Sequence, residues 1–298
     1  MIAFRGWLAV VLGVLLIPQV LAQTAGPNLA SVQAAVAEVG AQTLMYGKNA
    51  QRPVPVASIT KLMTALVVMN SGAPLSERLE FYPRHKEAAA NAYTRIRVGS
   101  TLSRADILRI ALMSSENFAA YTLARHHPGG YDAFVTAMND QARALGMTQT
   151  RFVDPTGLSA HNRSTAADLV RLVEAALAYP AIMEYSTTGY FTARFRQPRY
   201  DLAFGNTNVL VHRGNWDVRL SKTGYLKAAG RCLVMVADMN GKPVITVLLD
   251  SLGTRSPLGD AGRIRRWLAS GESGQVAAAA KAYEQSKNLQ YAAQKVTQ

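Results

Sequence analysis

The stretch PVPVASITKLMTALVVM, residues 53–69, sets the organisation of this chain. Pro53 and Pro55 favour an extended approach, because a proline ring disfavours the helical conformation of the residue before it. From Ser58 onward, apolar residues recur at the spacing of a helix face. These positions are Leu62, Leu66 and Met69. The pattern predicts a helix that begins at Ser58.

Ser58 and Lys61 lie three residues apart, so on a helix their side chains share one face. A serine hydroxyl is a weak nucleophile until a base takes its proton, and a lysine amine is a base only when it is uncharged. Desolvation in a closed cleft favours the uncharged amine, as does a second cation such as Lys222 brought close by the fold. Ser58 is therefore the candidate nucleophile and Lys61 the candidate general base.

A second polar motif, Ser-Glu-Asn, occupies residues 115–117 at a predicted junction between a loop and a helix. Because Ser115 and Asn117 are two residues apart, both can reach one cleft where the backbone is not yet helical. Ser115 is a candidate for relaying a proton to a leaving amine. The amide of Asn117 carries donors and acceptors, and it is a candidate for holding a substrate amide and fixing Lys61. A simple helix cap at Ser114 or Ser115 is the alternative.

A third motif, Lys222-Thr223-Gly224, follows a predicted strand. The side chains of Lys222 and Thr223 are candidate ligands for a substrate carboxylate. Gly224 lets a substrate approach the backbone closely. The backbone N–H groups of Ser58 and Tyr225 are candidates for an oxyanion hole, the pair of donors that stabilises negative charge on a carbonyl oxygen under attack.

The first 22 residues have the pattern of an export signal. Arg5 precedes an apolar run at 7–17, and 20–22 form a small-residue cleavage site. We therefore predict a cleaved signal peptide at 1–22, followed by a linker at 23–29. An uncleaved membrane anchor is the alternative, but the apolar run is short for a span that needs roughly 20 residues.

The composition is that of a folded, basic protein, with 49% hydrophobic and 17% charged residues. The 32 Lys and Arg exceed the 19 Asp and Glu, and the net charge of +13 falls to +12 (13 minus 1) without Arg5. A basic surface favours electrostatic contact with anionic envelope surfaces such as wall polymers or lipid head groups. No basic run is interleaved with aromatic residues, so nucleic acid is not an expected partner. The single cysteine, Cys232, lies in an apolar run and is predicted to pack rather than react.

Helical patterns occupy the middle of the chain and strand patterns its end. Helices are predicted at 103–113, 115–126, 131–145, 165–178 and 262–268. Strands are predicted at 190–195, 218–222, 231–238 and 244–250, with a hairpin within 32–46 around Gly40. Ser164, with Asp168 nearby, is a predicted helix cap. The order indicates a β-rich framework interrupted by a helical block.

Residues 30–269 are predicted to form one domain. Residues 270–298 are rich in Ala, Gln and Lys, and this composition predicts a mobile tail. A docked terminal helix is the alternative, since the alanines at 277–280 have high helix propensity but offer little apolar area to bury.

S-x-x-K, Ser-x-Asn and K-T-G in this order are the signature of penicillin-binding proteins and class A β-lactamases. Over residues 30–269 the chain resembles, more specifically, the penicillin-binding protein 7 type of D-alanyl-D-alanine endopeptidase. Four stretches carry the resemblance: RVGSTLSRADILRIALMSSENFAA (97–120), RFVDPTGLSAHN (151–162), LSKTGYLKAAGRCLVM (220–235) and GDAGRIRRWL (259–268).

The resemblance implies an α+β fold of the β-lactamase/transpeptidase type, with a five-stranded antiparallel sheet, flanking helices and an inserted helical lobe. It implies a periplasmic enzyme that cleaves D-alanyl peptide bonds in peptidoglycan, chiefly D-Ala to diaminopimelate cross-links, through an acyl-Ser58 intermediate. β-Lactam antibiotics would acylate the same serine. No metal or organic cofactor is implied. The family roles carry over to Ser58, Lys61, Ser115, Asn117 and residues 222–225.

Two features depart from the family. Phe118 stands where a basic residue is expected, and it is predicted either to pack inward or to alter substrate preference. The Ala/Gln/Lys-rich segment from Ser270 onward has no recognised counterpart.

Three other functions compete with the endopeptidase. A D-Ala-D-Ala carboxypeptidase uses the same acyl-enzyme chemistry on a terminal residue. A class A β-lactamase needs a carboxylate that activates the deacylating water, and 152–162 offers only Asp154. A catalytically idle wall-binding or β-lactam-sensing protein is the third alternative, but intact Ser58, Lys61 and Lys222 argue against it. The five histidines include no H-E-x-x-H pair, so a zinc hydrolase is not indicated.

Overall fold

The computed structural model describes residues 26–86 and 92–296. Its strands are β1 (Gln33–Glu38), β2 (Tyr46–Lys48), β3 (Val54–Pro55), β4 (Arg78–Glu80), β5 (Thr101–Ser103), β6 (Arg163–Ser164), β7 (Tyr190–Phe195), β8 (Tyr200–Gly205), β9 (Val218–Leu226), β10 (Gly230–Met239) and β11 (Lys242–Ser251). Its α-helices are α1 (Thr60–Asn70), α2 (Arg104–Met113), α3 (Asn117–Arg125), α4 (Gly130–Ala144), α5 (Ala166–Leu177), α6 (Pro180–Thr187), α7 (Ser256–Ser270) and α8 (Ala278–Val296).

The framework is a five-stranded sheet in the order β2-β1-β11-β10-β9, in which every neighbouring pair is antiparallel. Side chains alternate between the two faces of the sheet along each strand, and each face is covered by its own core. In β10, Val234 and Val236 pack into the main core with the helical lobe, whereas Leu233 and Met235 pack into a second core that includes Ile264 of α7. The predicted α+β class with a five-stranded antiparallel sheet is confirmed.

The helical lobe is inserted between β2 and β9, and it contains α1 to α6 with three small two-stranded sheets. Its core joins α1, α2, α3 and α4 through large buried side chains, among them Phe118 of α3 and Phe134 of α4. The outer strand β9 is adjacent to the turn that precedes α1 and to α6. Because the lobe meets the sheet along β9, the three sequence motifs come together at this junction.

Several boundaries differ from the sequence prediction. Strand β9 runs on to Leu226, and α7 begins at Ser256, before the predicted start. The short helix α6 and the strand β8, which pairs with β7, were missed. The cap of α5 is Thr165, whose side chain accepts a hydrogen bond from the Asp168 N–H at 3.0 Å. Ser164 lies in β6 and its hydroxyl bonds Thr150 instead, so it is not the cap.

The C-terminal segment is a helix docked on the domain, in place of the predicted mobile tail. Tyr283 of α8 donates to Asp250 at 2.6 Å, and Glu284 pairs with Lys48 at 2.9 Å. Arg52 donates to Asn288 at 2.6 Å. The apolar contribution is small, as expected, but polar contacts with β11 and with the segment before α1 hold the helix. Composition does not reveal such partners, because they lie far away in the chain.

The predicted signal peptide at 1–22 lies outside the described residues, and so does the first part of the predicted linker at 23–29. Of that linker, Leu29 is buried and Asn28 bonds Ser273 through its backbone N–H at 2.8 Å. In the part of the chain that the structure describes, no helix is long and apolar enough to cross a bilayer.

Candidate active site

Ser58 lies in a 3-10 turn, Ala57–Ile59, that leads directly into α1. The α-helix itself begins at Thr60, two residues later than predicted. Ala57 has a φ of +48°, a left-handed conformation that is strained for alanine. The Thr60 hydroxyl donates to the Ala57 carbonyl at 2.8 Å and holds this turn. The strained turn positions Ser58 at the junction of lobe and sheet.

Two glycines fit closely around the Ser58 backbone. A Cβ atom on Gly157 would lie 2.0 Å from the Ala57 carbonyl oxygen and 2.9 Å from the Ser58 nitrogen. On the other side, a Cβ on Gly224 would lie 3.1 Å from the same nitrogen. The loop that contains Gly157 and the strand β9 therefore lie on either side of the turn that contains Ser58, so close that there is no room for a side chain between the backbones. Within the described residues, the Ser58 N–H donates to no group.

The Lys61 amine lies at the centre of the site, and its three nearest partners use its three donors. It donates to the Ser58 Oγ at 3.0 Å, to the Asn117 Oδ1 at 2.7 Å and to the Thr156 carbonyl at 2.6 Å. The side chain is fully buried. The predicted contact between Ser58 and Lys61 and the predicted contact between Asn117 and Lys61 are therefore present in the structure.

Burial determines the charge of Lys61. Desolvation lowers the pKa of its amine to about 7, against an opposing effect of the Asp154 and Glu116 carboxylates, which raise it. An amine with this pKa is partly uncharged at neutral pH, as a general base must be. The sequence predicts that the charge of Lys222 lowers the pKa of Lys61. In the structure the resolved effect is that of Lys61 on Lys222: burial, and then the charge of Lys61, lower the pKa of Lys222 well below its usual range.

The loop that contacts Lys61 is organised by Asp154. The buried carboxylate accepts the Thr156 N–H at 2.7 Å, the Thr156 hydroxyl at 2.5 Å, the Gly157 N–H at 2.8 Å and the Ser159 N–H at 3.0 Å. This network turns the Thr156 carbonyl toward Lys61. The side chain of Asn162 ties the same loop down, because it accepts from the Asp154 N–H and donates to Thr60.

Ser115 lies in the turn between α2 and α3 with a φ of +62°, which takes it out of both helices. The helix cap is Glu116, which accepts from the Phe118 N–H at 3.0 Å. The alternative of a capping role for Ser115 is therefore wrong. The hydroxyl has no hydrogen-bond partner among the described residues, and Ser115 lines a cleft of about 300 Å³ with Thr223 and Gly224.

Strand β9 presents the third motif on two faces. Lys222 is buried on the lobe side, where its amine donates to the Thr223 carbonyl at 2.9 Å. Thr223 points to the opposite face, and its hydroxyl lies 2.6 Å from that of Thr207. Backbone groups of alternate residues in an outer strand point off the sheet, and Thr223 and Tyr225 belong to the same alternate set. The Tyr225 N–H stays the predicted second donor of the oxyanion hole.

Phe118 is buried, 1% exposed, and packs edge-on against Phe81 with ring centroids 5.1 Å apart. The guanidinium of Arg84 lies 4.9 Å from the Phe118 ring centroid, and Arg84 is also close enough to act on the charge of Glu116. The prediction that Phe118 packs inward is confirmed. A cation reaches this region from another segment of the chain.

Sequence reasoning found the motif residues but missed the groups that position them. Thr156, Gly157 and Thr207 were not singled out, and Asp154 was considered only as a water-activating base. A signal was present, since Asp-Pro-Thr-Gly at 154–157 has the composition of a tight turn that an aspartate carboxylate closes. No sequence pattern indicates that this turn contacts Lys61.

Residues 20–253 match the family described as D-alanyl-D-alanine carboxypeptidase, peptidase S11. The D-alanyl-D-alanine endopeptidase of Escherichia coli strain K12 is 46% identical over 292 residues, which cover 96% of this chain and 94% of that protein. The D-alanyl-D-alanine endopeptidase of Pseudomonas aeruginosa is 49% identical over 256 residues, 86% of this chain and 83% of that protein.

Solved structures agree with the sequence relatives. The Streptomyces K15 DD-transpeptidase superposes with a TM-score of 0.75 at 27% identity, over 82% of this chain and 98% of that one. Penicillin-binding protein D2 from Listeria monocytogenes, in its ampicillin-bound form, superposes with a TM-score of 0.70 at 28% identity, over 81% of this chain and 98% of that one.

Proposed function

The chain belongs to the D-alanyl-D-alanine carboxypeptidase family of serine peptidases, and from this premise we propose that it is a periplasmic endopeptidase acting on peptidoglycan. It hydrolyses D-alanyl peptide bonds, and the bond we propose is the D-Ala to diaminopimelate cross-link. The 3.0 Å contact between the buried Lys61 amine and the Ser58 hydroxyl carries this proposal, because it supplies an activated nucleophile.

Acylation begins when the uncharged Lys61 amine takes the Ser58 proton. The Ser58 oxygen attacks the D-alanyl carbonyl carbon, and the carbonyl oxygen gains negative charge between the N–H groups of Ser58 and Tyr225. The proton then passes from Lys61 through the Ser115 hydroxyl to the leaving amine, which departs as the C–N bond breaks, so that Lys61 is uncharged again and Ser115 is restored. The product is an ester of Ser58 and a free amine. Asn117, fixed by its hydrogen bond to Lys61, is in reach of the substrate amide.

Deacylation repeats these steps with water as the nucleophile. Lys61 takes a proton from water as the water oxygen adds to the ester carbonyl, the ester C–O bond then breaks, and Lys61 returns the proton to the Ser58 oxygen, which leaves the D-alanyl product as a carboxylic acid. A carboxylate on the substrate is bound at Lys222 and Thr223, where the ligand charge favours protonation of Lys222. A β-lactam enters by the same route and remains as an ester of Ser58, in keeping with the ampicillin-bound relative.

A β-lactamase function is disfavoured by the environment of Asp154. A class A enzyme needs a carboxylate free to activate the deacylating water. Four hydrogen bonds from the loop already engage both oxygens of Asp154, and the side chain is only 3% exposed. Slow loss of a bound penicillin is the expected consequence.

Contact with anionic surfaces of the envelope is also proposed. The support is a group of arginines around the β7–β8 hairpin for which, in the described residues, no ion pair with a carboxylate is found within 4.0 Å. They are Arg78, Arg95, Arg97 and Arg196. Burial, and then the charge of Arg196, lower the pKa of Arg78, so an anion on this surface would relieve the repulsion between the two guanidinium groups.

Two substrates are needed to decide between endopeptidase and carboxypeptidase activity. Purified protein is incubated with cross-linked muropeptide dimers and with uncross-linked pentapeptide, and the products are separated by chromatography. We expect monomers from the dimers, and terminal D-Ala release at a rate at least about ten-fold lower. Terminal D-Ala release without dimer cleavage would favour the carboxypeptidase instead.

The rate of acylation by penicillin is expected to depend on the charge of Lys61. Because only the uncharged amine accepts the Ser58 proton, the rate rises with pH through the Lys61 pKa of about 7. In Asp154→Asn, the loss of a carboxylate that favours the ammonium form lowers this pKa, so the rise moves to lower pH. Stopped-flow acylation between about pH 5 and 9 measures the shift. The surface substitution Asp132→Asn is the control, and a shift to higher pH in Asp154→Asn would contradict the assignment.

A further inference from the structure

The cleft of about 300 Å³ that contains Ser115 and residues 223–225 is also lined by apolar side chains. Three of them are Val209, Pro257 and Leu258, which have no part in the chemistry above. We call these three residues the apolar wall. They are available to a part of the substrate that does not react.

The position of Ser115 indicates which part of the substrate lies in this cleft. Ser115 lines the cleft, and its hydroxyl is the group through which the proton reaches the leaving amine. Ser58 and Lys61 are not among the residues that line it. The bond that breaks joins a carbonyl carbon at Ser58 to an amine at Ser115. The residue that leaves is therefore the part of the substrate that lies beside the apolar wall.

Val209 is held in place by its neighbours but not covered by them. The Asn208 side-chain amide donates to the Ser221 hydroxyl of β9 at 2.9 Å. The Thr207 N–H donates to the carbonyl of Met113, at the end of α2, at 2.9 Å. The side chain of Val209 is nonetheless 44% exposed. A fixed apolar side chain that stays open is typical of a preformed ligand site.

The other two residues of the wall lie in the first turn of α7. Pro257 is buried, and its ring fixes the backbone at the start of the helix. Leu258 packs against the second core, which also contains Ile264 of the same helix, and it is only partly buried. The core fixes one side of Leu258, so its open side has a defined position in the cleft.

The charged residue of the lining, Arg231, favours one orientation of the leaving residue. Its guanidinium lies 3.8 Å from the ring centroid of Tyr225. Among the described residues, no carboxylate lies within 4.0 Å of it. A carboxylate on the leaving residue is attracted toward Arg231 and the Lys222–Thr223 site. The side chain of the same residue is then left for the apolar wall.

We propose that the apolar wall binds the side chain of the residue whose amine leaves, and that it selects a long aliphatic chain over the methyl group of alanine. Ligand sites have volumes of about 300–1,000 Å³, so alanine alone leaves part of this cleft unfilled. The inference rests on the proposed function, since it concerns substrate choice at the same site. A preference of this kind favours a cross-link, whose leaving residue is larger than alanine, over a terminal alanine.

Two small substrates test the proposal. They share one acyl-D-alanyl part and differ in the leaving residue, which is D-alanine in one and D-norleucine in the other. Chromatography of the released amino acids gives kcat/KM for the wild type, Val209→Ser and Leu258→Ala. The quantity compared is the ratio of kcat/KM for norleucine to that for alanine. Both values come from the same preparation, so the ratio does not depend on the fraction of a variant that is folded.

Burial of one methylene group is worth about four-fold in kcat/KM, and norleucine has three more than alanine. We expect a wild-type ratio of at least about ten, and a ratio about four-fold lower or less in each wall variant. Leu252→Ala is the matched control, because Leu252 is 48% exposed and lies outside the lining of the cleft, and it should keep the wild-type ratio. A wild type that releases norleucine no faster than alanine, or wall variants that keep the wild-type ratio, would overturn the proposal.

Cleavage of muropeptide dimers separates this proposal from the proposed function. A wild type that cleaves dimers but releases norleucine no faster than alanine would reject only the role of the apolar wall. A wild type that prefers norleucine, with wall variants that lose the preference, would support the wall even where dimers stay intact. Intact dimers would then reject the endopeptidase alone.

Discussion

Replacement of Lys61 by methionine is expected to slow the acylation of Ser58 by penicillin about 10²–10⁴-fold, the contribution of a positioned general base. Methionine keeps a long, unbranched side chain in the buried position but cannot take a proton. Stopped-flow measurement of acylation with a fluorescent penicillin gives the rate. The same variant should lose cleavage of muropeptide dimers in proportion, because one base serves both reactions.

Two controls separate loss of the base from loss of structure. Lys61→Arg retains a cation, but arginine stays protonated at all relevant pH values, so it should not restore the rate. Thermal unfolding of both variants reports whether the site remains folded once Asn117 and Thr156 have lost the amine. A Lys61→Met protein that is folded and acylates within about ten-fold of the wild type would show that another group is the base.

Replacement of Gly157 by alanine is expected to destabilise the protein by more than about 4 kcal/mol, which is exceptional for a single substitution. The added Cβ would lie 2.0 Å from the Ala57 carbonyl oxygen, inside any permitted contact. The obstructing atom is backbone, so it cannot turn aside as a flexible side chain would. Relief would move the Ala57–Ser58 turn, and acylation is expected to fall together with stability.

Gly40 offers a matched control, because its φ is +81°, the same as that of Gly157, and a Cβ there would meet nothing within 4 Å. Gly40→Ala should therefore cost only the backbone strain of a left-handed alanine, about 1–2 kcal/mol. Urea unfolding of both variants yields the two free energies. Similar costs for Gly40→Ala and Gly157→Ala would show that the close approach at Ala57 is not tightly constrained.

The sequence alone identified the side chains of the three motifs, because each motif is a short local pattern. The spacing of Ser58 and Lys61 and the order of the three motifs predicted contacts that the structure contains. The strand character around Lys222 was also correct, although β9 extends further than predicted. Helical periodicity identified most of the lobe because each long helix buries one face.

The remaining features depend on contacts between distant parts of the chain. Thr156 belongs to none of the three motifs, yet its carbonyl accepts a hydrogen bond from Lys61, which is 95 residues away in the sequence. The helix α8 has little apolar surface, and only its polar contacts with Asp250, Lys48 and Arg52 explain why it docks. Local propensity contains no information about either set of partners, and neither could be predicted from pattern alone.

The most direct test of the mechanism is to locate the acyl group. Purified protein is acylated with a fluorescent penicillin, digested, and the labelled peptide is identified by mass spectrometry, with Ser58→Ala treated in parallel. We predict a single adduct on the peptide that contains Ser58, and loss of both labelling and dimer cleavage in Ser58→Ala. An adduct on Ser115, or labelling that persists in Ser58→Ala, would contradict the acyl-Ser58 mechanism.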